Sequence, residues 1–507
     1  MSDFMKAVSK ELINGSENLS TTENGALGYR SSGKALVDLN FKVSSLRNKT
    51  DKTIIKEFEK AFFEDKELAL KWLFFARDIR GGLGERRIFR VITKWFVDNY
   101  PDTIKNLLYL IPEYGRWDDL IDILISTNDK EVFNIASDVI RNQLKNDIIN
   151  MSKGKSISLL AKWMPSVNAS SSDTIKKAKK MLKILGLTER EYRKTLSKLR
   201  KYIDVVEIKM SSNEWSKINY ETVPSKANLI YKNAFIKHDK DRRSDYLDNL
   251  VRGEAKINAT TLYPHNIVSK YTFDNYHCRT KKFDVTLEEL WKALPDKTIE
   301  NTLVVADGSG SMYTAISGNT TAKDVCCALA IYFSEHSKGG FNNKFITFGN
   351  RPRLVDISKA ESLKEKIDIT LSNTDCSNTN IARTFELILN TALSNHMTQE
   401  EMPKNVLIIS DMEFDIGCNY NTTLFNEISQ KFIEHGYKLP RLVFWNVNSR
   451  TGTIPVKENE LGVALVSGFS TNIVDMVMSS ELDPYKCLLK VLLSKRYELI
   501  KLETQSK

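Results

Sequence analysis

Long hydrophobic runs are missing from this 507-residue sequence. No apolar stretch reaches the roughly 20 residues that a membrane-spanning helix needs. Residues 1–6 also lack the basic-then-apolar order of a secretory signal peptide. We therefore predict a cytoplasmic protein that has no membrane partner.

Cysteine and histidine are both scarce. The six cysteines form no CxxC pair and show no regular spacing, and the six histidines show no ligand spacing. The sequence thus indicates neither a zinc site nor a disulfide framework. We interpret the cysteines as reduced thiols of an intracellular protein. Cys326 and Cys327 lie in a helical pattern, and we expect them to pack in a core.

Motifs for catalysis are missing as well. The sequence shows no Ser-His-Asp order, no histidine-rich metal cluster and no nucleotide-binding loop. Glu413 and Asp415 form an acidic pair that could at most assist a hydrolysis, because no positioned nucleophile and base accompany it. We predict that the chain is not an enzyme.

Positive charge is in excess, but only in the first part of the chain. Residues 1–300 contain 53 Lys and Arg against 41 Asp and Glu, a net charge of +12. Residues 301–507 contain 21 against 23, a net charge of −2, and residues 151–200 alone contain 13 against 3. This asymmetry favours an acidic polymer as partner, most simply nucleic acid. A solvated helical surface is the alternative interpretation.

Residues 31–300 show the pattern of a helical domain, after a predicted flexible N-terminus at residues 1–30. Apolar residues recur at helical spacing over 54–76 and again over 88–96. Short helices joined by glycine and proline turns, without strand alternation, are typical of an antiparallel array of the HEAT type. Because 507 residues exceed the size of one core, two or more domains are expected.

The segment Gly81-Gly82-Leu83-Gly84, followed by two arginines, has two interpretations. It can end one helix in a tight turn, or it can bind a backbone phosphate of RNA at the start of the next helix. No strand precedes it and no Lys-Ser/Thr pair follows it, so a nucleotide P-loop is not indicated. We prefer the helix-ending turn.

Two consecutive helices are predicted in the most basic stretch. Ser172 and Asp173 begin the first helix, Gly186 ends it, and Thr188 with Glu191 forms a capping box for the second. Each helix gathers its apolar residues on one face, so phosphates could neutralise the other face in a salt-dependent and largely sequence-independent way. The candidate RNA-binding residues are Lys176, Lys177, Lys179, Lys180, Arg190, Arg193, Lys194, Lys198, Arg200 and Lys201.

From residue 302 onward the pattern alternates between strands and helices. This alternation favours a doubly wound, mostly parallel sheet whose sites lie at the carboxyl ends of its strands. Gly349-Asn350-Arg351-Pro352 indicates a hairpin, so one edge strand should be antiparallel. The predicted strands are 302–306, 344–348, 353–357, 405–410, 441–447 and 462–466, and the predicted helices are 320–336, 379–395, 423–436, 471–478 and 484–502.

Asp307-Gly308-Ser309-Gly310-Ser311 follows the first of these strands. A carboxylate and two hydroxyls at alternate positions of one loop supply half of a divalent-metal site. Ligands that are all oxygen suit a hard cation such as Mg²⁺, which keeps some waters and leaves a position for an incoming carboxylate. The motif therefore predicts a metal-capped binding face.

A six-stranded sheet of this order, with Asp-x-Ser-x-Ser after its first strand, resembles a von Willebrand factor A (Rossmann-like) domain with its metal-ion-dependent adhesion site. The resemblance assigns residues 301–507 to this domain. It implies that Thr379 and Asp411, at the matching positions of later loops, join Asp307, Ser309 and Ser311 around Mg²⁺ or another divalent cation.

A helical N-terminal part followed by such a domain resembles the Ro ribonucleoproteins, in which a ring of HEAT-like helices, the TROVE module, binds small and misfolded RNAs. Residues 77–86, 112–120 and 410–415 are more closely similar to an uncharacterised Ro-like family of plants and viruses. This resemblance covers most of the chain. It implies RNA binding only through the more distant Ro comparison.

Two functions compete for this multidomain chain, which is α followed by α/β. In the first, the basic helical domain contacts the backbone of a structured or small noncoding RNA, and the metal site docks an acidic residue of a protein partner. In the alternative, the chain is a protein-interaction scaffold with a metal-dependent adhesion site and no RNA role.

Overall fold

A computed structural model describes residues 18–274, 279–349, 351–374, 380–415, 424–457, 462–474 and 483–502. Contacts between residues divide the chain into two compact units, each built from two separate segments. The sheet unit comprises Met1–Ala69 and Ala259–Lys495. The helical unit comprises Leu70–Asn258 and Arg496–Lys507.

These units differ from the predicted domains, which meet at residue 300. Two helices that the sequence assigns to the helical domain, at 35–46 and 51–64, belong to the sheet unit. The reason is long-range packing, since Phe41 lies in the same buried cluster as Leu303 and Val305 of the sheet. Periodicity shows that a helix has an apolar face, but it does not show which part of the chain covers that face.

The segment predicted to be flexible contains a short hairpin of β1 (Leu19–Thr21) and β2 (Leu27–Tyr29). Tyr29 and Ile454 exchange backbone hydrogen bonds of 2.8 and 2.9 Å, so a distant segment of the chain orders this hairpin. Local sequence does not reveal such a partner. The sheet unit continues with α1 (Ala35–Leu46) and α2 (Asp51–Glu64).

Helices of 4 to 23 residues make up the described part of the helical unit. They are α3 (Lys66–Arg77, which begins at the boundary of the sheet unit), α4 (Arg86–Asn99), α5 (Pro101–Lys105), α6 (Ile111–Tyr114), α7 (Trp117–Ser126), α8 (Lys130–Ser152), α9 (Leu160–Trp163), α10 (Ser172–Leu185), α11 (Glu189–Tyr202), α12 (Val206–Ser211), α13 (Ser225–His238) and α14 (Lys240–Val251), with 3-10 turns at Leu108–Leu110, Trp215–Lys217 and Tyr220–Thr222.

The glycine-rich segment at 81–84 forms the turn between α3 and α4. This confirms the interpretation that it ends one helix in a tight turn. The backbone N of Leu83 donates to the carbonyl O of Phe75 at 3.1 Å. A Cβ at Gly82 would lie 2.0 Å from that same oxygen, so only glycine fits here. Immediately before the turn, Arg77 forms a buried ion pair of 2.7 Å with Asp119 of α7.

The two basic helices begin and end nearly as predicted. Ser171, one residue before the predicted start, caps α10 by accepting a hydrogen bond from the backbone N of Thr174. Gly186 ends α10 with a φ of 65°, and Thr188 with Glu191 forms the predicted capping box of α11.

The second segment of the sheet unit alternates strands and helices. Its elements are α15 (Pro264–Tyr271), β3 (Thr272–Asp274), β4 (Arg279–Thr280), α16 (Val285–Lys292), β5 (Thr302–Asp307), β6 (Ala315–Ser317), β7 (Thr320–Thr321), α17 (Ala322–His336), β8 (Lys344–Phe348), β9 (Arg353–Asp356), α18 (Leu363–Ser372), α19 (Ile381–Ser394), β10 (Asn405–Ser410), α20 (Leu424–Glu434), β11 (Arg441–Asn446), β12 (Val463–Ser467) and α21 (Pro484–Leu492).

Six of these strands form one mixed sheet in the order β12-β11-β10-β5-β8-β9. All neighbours are parallel except β8 and β9, which confirms the predicted antiparallel edge. The six predicted strands are all present, with ends that agree to within one residue.

Two predicted helices follow the last strand. The first, predicted at 471–478, is described only to residue 474 and contains a 3-10 turn at Thr471–Ile473. The second, predicted at 484–502, is an α-helix only over Pro484–Leu492, so the prediction was too long at its end.

The central strands are buried on both sides. Every residue of β5 is buried, and all but the first residue of β10 are buried. Because β5 and β10 are parallel neighbours, their carboxyl ends meet at one edge of the sheet. Asp307 ends β5 there, and Asp411 directly follows β10.

The described cysteines behave as expected. Cys326 and Cys327 lie on α17 and are buried, which confirms that they pack in a core. Cys487 is also buried, whereas Cys278, Cys376 and Cys418 lie outside the described residues.

Within the described ranges, no helix combines the length and the apolar character that crossing a membrane requires.

Candidate functional site

The loop after β5 brings together three of the predicted metal ligands. The Oδ1 atom of Asp307 accepts a hydrogen bond from the backbone N of Ser309 at 2.8 Å. The hydroxyls of Ser309 and Ser311 lie 2.9 Å apart, because a 3-10 turn at Gly310–Tyr313 keeps the second serine beside the first. Three side-chain oxygen groups are therefore close together at the end of one strand.

The end of β10 adds the fourth predicted ligand. Asp411 accepts a hydrogen bond from the side chain of Ser311, and Asp307 and Asp411 are each only 2% exposed. The hydroxyl of Ser410 donates to Oδ2 of Asp307 at 2.6 Å. Ser410 was not among the predicted residues, although its place beside Asp411 at the same strand end is a signal for it. The fifth predicted ligand, Thr379, lies outside the described residues.

Burial dominates the electrostatics of the two carboxyl groups. Desolvation raises the pKa of both Asp307 and Asp411, and the negative charge of Asp307 raises the pKa of Asp411 further. Hydrogen bonds from Ser410 and Ser309 oppose the rise in the pKa of Asp307. Two carboxyl groups in this environment resist full ionisation together, and a nearby positive charge would favour the ionised form.

One guanidinium group reaches this cluster. Nη2 of Arg450 lies 3.6 Å from Oδ2 of Asp411, and it also pairs with Glu23, which lies between β1 and β2. The side chain of Arg450 is 34% exposed, so its charge is partly screened by solvent. Neither Arg450 nor Glu23 belongs to a motif that could identify it from sequence.

The carboxylate of Glu413 connects two loops of the sheet unit by hydrogen bonds. Its carboxylate accepts hydrogen bonds from the backbone N atoms of Glu23, Arg450 and Thr451 at 2.8, 2.7 and 2.9 Å. The hydroxyls of Ser449 and Thr451 also donate to it, and it is fully buried. These contacts connect Glu413 to the loops around it, and the assisting role considered from the sequence stays a prediction.

The backbone between Asp411 and Glu413 is strained. Met412 has a φ of 63°, in the left-handed region that non-glycine residues rarely adopt, and it is 1% exposed. Such conformations persist only when the surrounding structure fixes them, and they are frequent at binding sites. The buried hydrogen bonds of the two flanking carboxylates provide that restraint.

The donors at this edge of the sheet are carboxylate and hydroxyl oxygens. In the described part of the chain, no three His, Cys, Asp or Glu side chains come together as a metal-binding group. A cation here would therefore need the hydroxyls of Ser309 and Ser311 as well as the carboxylates of Asp307 and Asp411.

A second candidate site lies on α10 and α11. Nine of the ten basic residues predicted to bind RNA are exposed, all except Arg200. Arg190, Arg193 and Lys194 line a groove with a volume of about 640 Å³. The opposite sides of the two helices are buried, so the basic side chains face outward as the periodicity indicated.

Arg200 and Lys177 are among the basic residues that have partners inside the protein. Arg200 donates to the carbonyl O atoms of Ala161 and Met164 at 2.8 and 2.6 Å and to the hydroxyl of Ser166 at 2.7 Å. Burial lowers its pKa, and these bonds give it a structural role in the groove wall. Lys177 forms an ion pair of 2.6 Å with Asp122.

Comparison with known proteins shows the family of this chain. A family model described as Domain of unknown function (DUF2828) matches residues 22–143 and 169–302. The Uncharacterized protein L728 of Acanthamoeba polyphaga mimivirus is 31% identical, with 94% of this chain and 87% of that protein covered. The chain belongs to the DUF2828 family.

The candidate residues of this DUF2828 protein fall under two family models. A second model, described as Domain of unknown function (DUF7788), matches residues 301–488 and includes the strand-edge residues. The basic helices lie within the second matched segment of DUF2828. The two matches overlap at residues 301–302, whereas contacts place the first helices of the DUF2828 segment in the sheet unit.

Among solved structures, the Ro (RSR) protein of Deinococcus radiodurans is similar to the DUF2828 chain at 11% identity. The match covers 92% of this chain and 96% of that protein, with a TM-score of 0.31.

Proposed function

We propose that this protein binds RNA through its helical unit and docks an acidic residue of a protein partner at a metal site of its sheet unit. The observation that carries the RNA part is the distribution of charge. The helical unit contains 39 Lys and Arg against 26 Asp and Glu, a net charge of +13. The sheet unit contains 35 against 38, a net charge of −3. A strongly basic unit attracts a polyanion and releases its counterions.

The proposed RNA is a structured or small noncoding RNA, held by its backbone as in a Ro-like, TROVE-like ribonucleoprotein. Exposed basic side chains along two consecutive helices favour contacts with phosphates. Aromatic residues that could stack on splayed bases are few on these helices, which disfavours reading of single-stranded sequence. The cytoplasmic location predicted from the sequence belongs to the same proposal.

The metal part of the proposal assigns Asp307, Ser309, Ser311 and Asp411 to an adhesion site of the von Willebrand factor A type, with Thr379 as the fifth ligand. The buried carboxylates and hydroxyls fit Mg²⁺ or another hard divalent cation, which prefers oxygen ligands. Such an ion supplies an open coordination position for a partner's carboxylate. The chain's own residues hold the ion at the strand edge and exclude water from its buried side. The proposal includes no catalytic step.

The RNA part is tested by the salt dependence of binding. Full-length protein is titrated with a fluorescent structured RNA from 50 to 300 mM KCl, and a variant with Lys176, Lys179, Arg193 and Lys194 changed to Gln is compared. We expect the slope of log affinity against log salt to fall by about 3, because each phosphate contact contributes about 0.7 to 0.9.

The control changes four exposed lysines of the sheet unit, Lys338, Lys359, Lys404 and Lys438, to Gln. It removes the same charge and should leave the slope within about 1 of the original. An equal loss in both variants, or RNA affinity too weak to measure in the unaltered protein, would reject RNA binding by the basic helices.

The scaffold function without RNA has one observation in its favour. Part of the basic surface is already neutralised within the protein, by the pairs Lys177–Asp122 and Lys176–Asp173. This function predicts Mg²⁺-dependent retention of the protein on an immobilised acidic peptide together with no RNA affinity at 150 mM salt.

A further inference from the structure

The turn between β1 and β2 lies beside Asp411, a proposed metal ligand of the sheet unit. The hydroxyl of Thr22 donates to the carbonyl O of Phe414 at 2.6 Å, and the amide of Asn24 donates to the carbonyl O of Glu413 at 2.7 Å. Both acceptors follow Asp411 within three residues. These hydrogen bonds hold the turn at this edge of the sheet without using its acidic side chain.

Glu23 supplies an exposed carboxylate in this turn. Its side chain is 55% exposed, and its Oε2 atom contacts Nη2 of Arg450. The same nitrogen lies 3.6 Å from Oδ2 of Asp411, which is only 2% exposed. One guanidinium nitrogen thus adjoins both an exposed carboxylate of the hairpin and a buried carboxylate of the candidate metal site.

The pair of Arg450 and Glu23 can exchange its carboxylate at small cost. Both side chains are partly exposed, and ion pairs between such groups change an equilibrium by about fivefold at most. Nε of Arg450 is buried and has no hydrogen-bond partner among the described residues, so Glu23 does not use the full fork of guanidinium donors. A carboxylate from another molecule could replace that of Glu23, and the exchange would leave no buried charge unpaired.

Arg450 also reduces the repulsion that an acidic partner meets at this edge of the sheet. A carboxylate that approaches Asp307 and Asp411 is opposed by their negative charge. Arg450 supplies positive charge beside Asp411, and 34% of its side chain is exposed, so an incoming carboxylate can reach it. A guanidinium binds a carboxylate through charge-assisted hydrogen bonds.

We propose that Arg450 is a second recognition residue for the acidic side chain of the protein partner, and that Glu23 occupies it as an internal competitor. The partner's carboxylate replaces that of Glu23 on the guanidinium when the partner docks. The hairpin thereby lowers the affinity of the free protein for acidic segments. This inference rests on the proposed docking of an acidic residue, but the contact between Arg450 and a carboxylate does not depend on which cation the site holds.

The test uses the full-length protein and a fluorescent peptide that contains one Asp flanked by neutral residues. Glu23→Gln removes the competing charge and keeps the hydrogen bond from the backbone N to Glu413. Glu400→Gln is the matched control. Glu400 is an exposed residue of the sheet unit that precedes β10, whereas Asp411 follows the other end of this strand.

Binding is followed by fluorescence anisotropy at saturating MgCl₂, so that differences in Mg²⁺ affinity do not enter. We expect Glu23→Gln to bind the peptide about twofold to fivefold more tightly, which is the range for loss of a competing exposed ion pair. We expect Glu400→Gln to bind the peptide as the unaltered protein does. An equal effect of the two substitutions would overturn the inference.

The role of Arg450 is tested by combining substitutions. Arg450→Met should weaken peptide binding and also remove the gain from Glu23→Gln, because both carboxylates use the same guanidinium. The double variant should therefore bind the peptide within about twofold of Arg450→Met alone. A gain that persists in full without Arg450 would show that Glu23 does not compete for this residue, and it would overturn the inference.

Repeating the titration in EDTA separates this inference from the proposed metal site. Peptide binding that is independent of Mg²⁺ but still strengthened by Glu23→Gln would reject the metal site and keep Arg450 as the recognition residue. Binding that requires Mg²⁺ but is the same in Glu23→Gln and Glu400→Gln would keep the metal site and reject the competitor. Absence of peptide binding in every variant would overturn both.

Discussion

At the residue scale, the position of a side chain decides its role more than its chemical type does. Arg193 and Arg200 lie on the same basic helix, yet only the first is exposed, because Arg200 bonds the backbone around α9. Glu413 and Asp411 are separated by one residue, yet Asp411 lies with Asp307 and Ser311 at the strand edge, whereas Glu413 binds the loop at 449–451. Arg450 contacts this cluster from a loop without any motif.

The first prediction concerns the affinity of the proposed cation. Arg450→Met should raise Mg²⁺ affinity about threefold to tenfold, since it removes a positive charge 3.6 Å from Asp411. Glu23→Gln should lower the affinity, because it releases Arg450 from its second acidic partner. Calorimetric titration with MgCl₂ measures both effects. Arg353→Met on the exposed edge strand is the control, and weaker Mg²⁺ binding by Arg450→Met would show that this arginine supports the site.

At the scale of elements, single buried carboxylates join segments that are far apart in sequence. Asp119 of α7 binds Arg77 at the end of α3 and Arg90 of α4, and it also accepts a hydrogen bond from the backbone of Arg116. Glu413 joins the hairpin at Glu23 to the loop that follows β11. In each case the helices and strands follow from local pattern, whereas their connection depends on one charged side chain.

The second prediction is that Asp119→Ala destabilises the protein by about 3 to 5 kcal/mol. The substitution leaves the buried guanidinium of Arg77 without its partner, and an uncompensated buried charge costs about this much. Urea unfolding followed by circular dichroism provides the measurement. Asp102→Ala removes an exposed partner of Lys105 and should cost less than about 1 kcal/mol. Similar losses in both variants would contradict the special role of Asp119.

The third prediction is that Glu413→Gln costs about 2 to 3 kcal/mol, because charge-assisted hydrogen bonds to the backbone of two loops are weakened. Hydrogen exchange should become faster at residues 449–452 and in the hairpin at 19–29. Glu386→Gln, which affects a surface pair with Lys431, is the control. Unchanged exchange in the hairpin would show that Glu413 does not order it.

At the scale of the whole molecule, charge and candidate chemistry are divided between the two units. The helical unit has a net charge of +13 and contains the basic grooves, and the sheet unit has a net charge of −3 and contains the buried carboxylate cluster. Each candidate site is built from residues of one unit, so we expect it to respond mainly to changes in that unit.

The fourth prediction follows from that division. Asp307→Ala should abolish Mg²⁺-dependent retention on an immobilised acidic peptide and leave RNA affinity within about twofold, which corresponds to less than 0.5 kcal/mol. Peptide-column retention with and without EDTA and fluorescence anisotropy with RNA measure the two properties. Thermal unfolding of the variant and of the unaltered protein, measured under the same conditions, shows whether the variant is folded. Loss of RNA affinity in a folded Asp307→Ala protein would contradict the assignment of the two sites to separate units.

Much of the local structure could be predicted because its causes lie within a few residues. The alternation of strand and helix patterns, together with apolar runs, predicted the positions of the six strands. Capping residues predicted the ends of the two basic helices to within one residue. The spacing of Asp307, Ser309 and Ser311 placed their side chains together, since one loop contains all three. The role of Ser410 depends on a hydrogen bond across two strands, which no local pattern contains.

The sequence by itself determined the type and position of most helices and strands, the excess of positive charge, and the oxygen-bearing residues at two strand ends. Only the tertiary structure decided that α1 and α2 pack with the sheet, that Arg200 is turned inward, and that Arg450 with Glu23 adjoins the carboxylate cluster. The physical reason is that periodicity, capping and motif spacing act between near neighbours, whereas burial and ion pairing are determined by which distant segments the folded chain brings into contact.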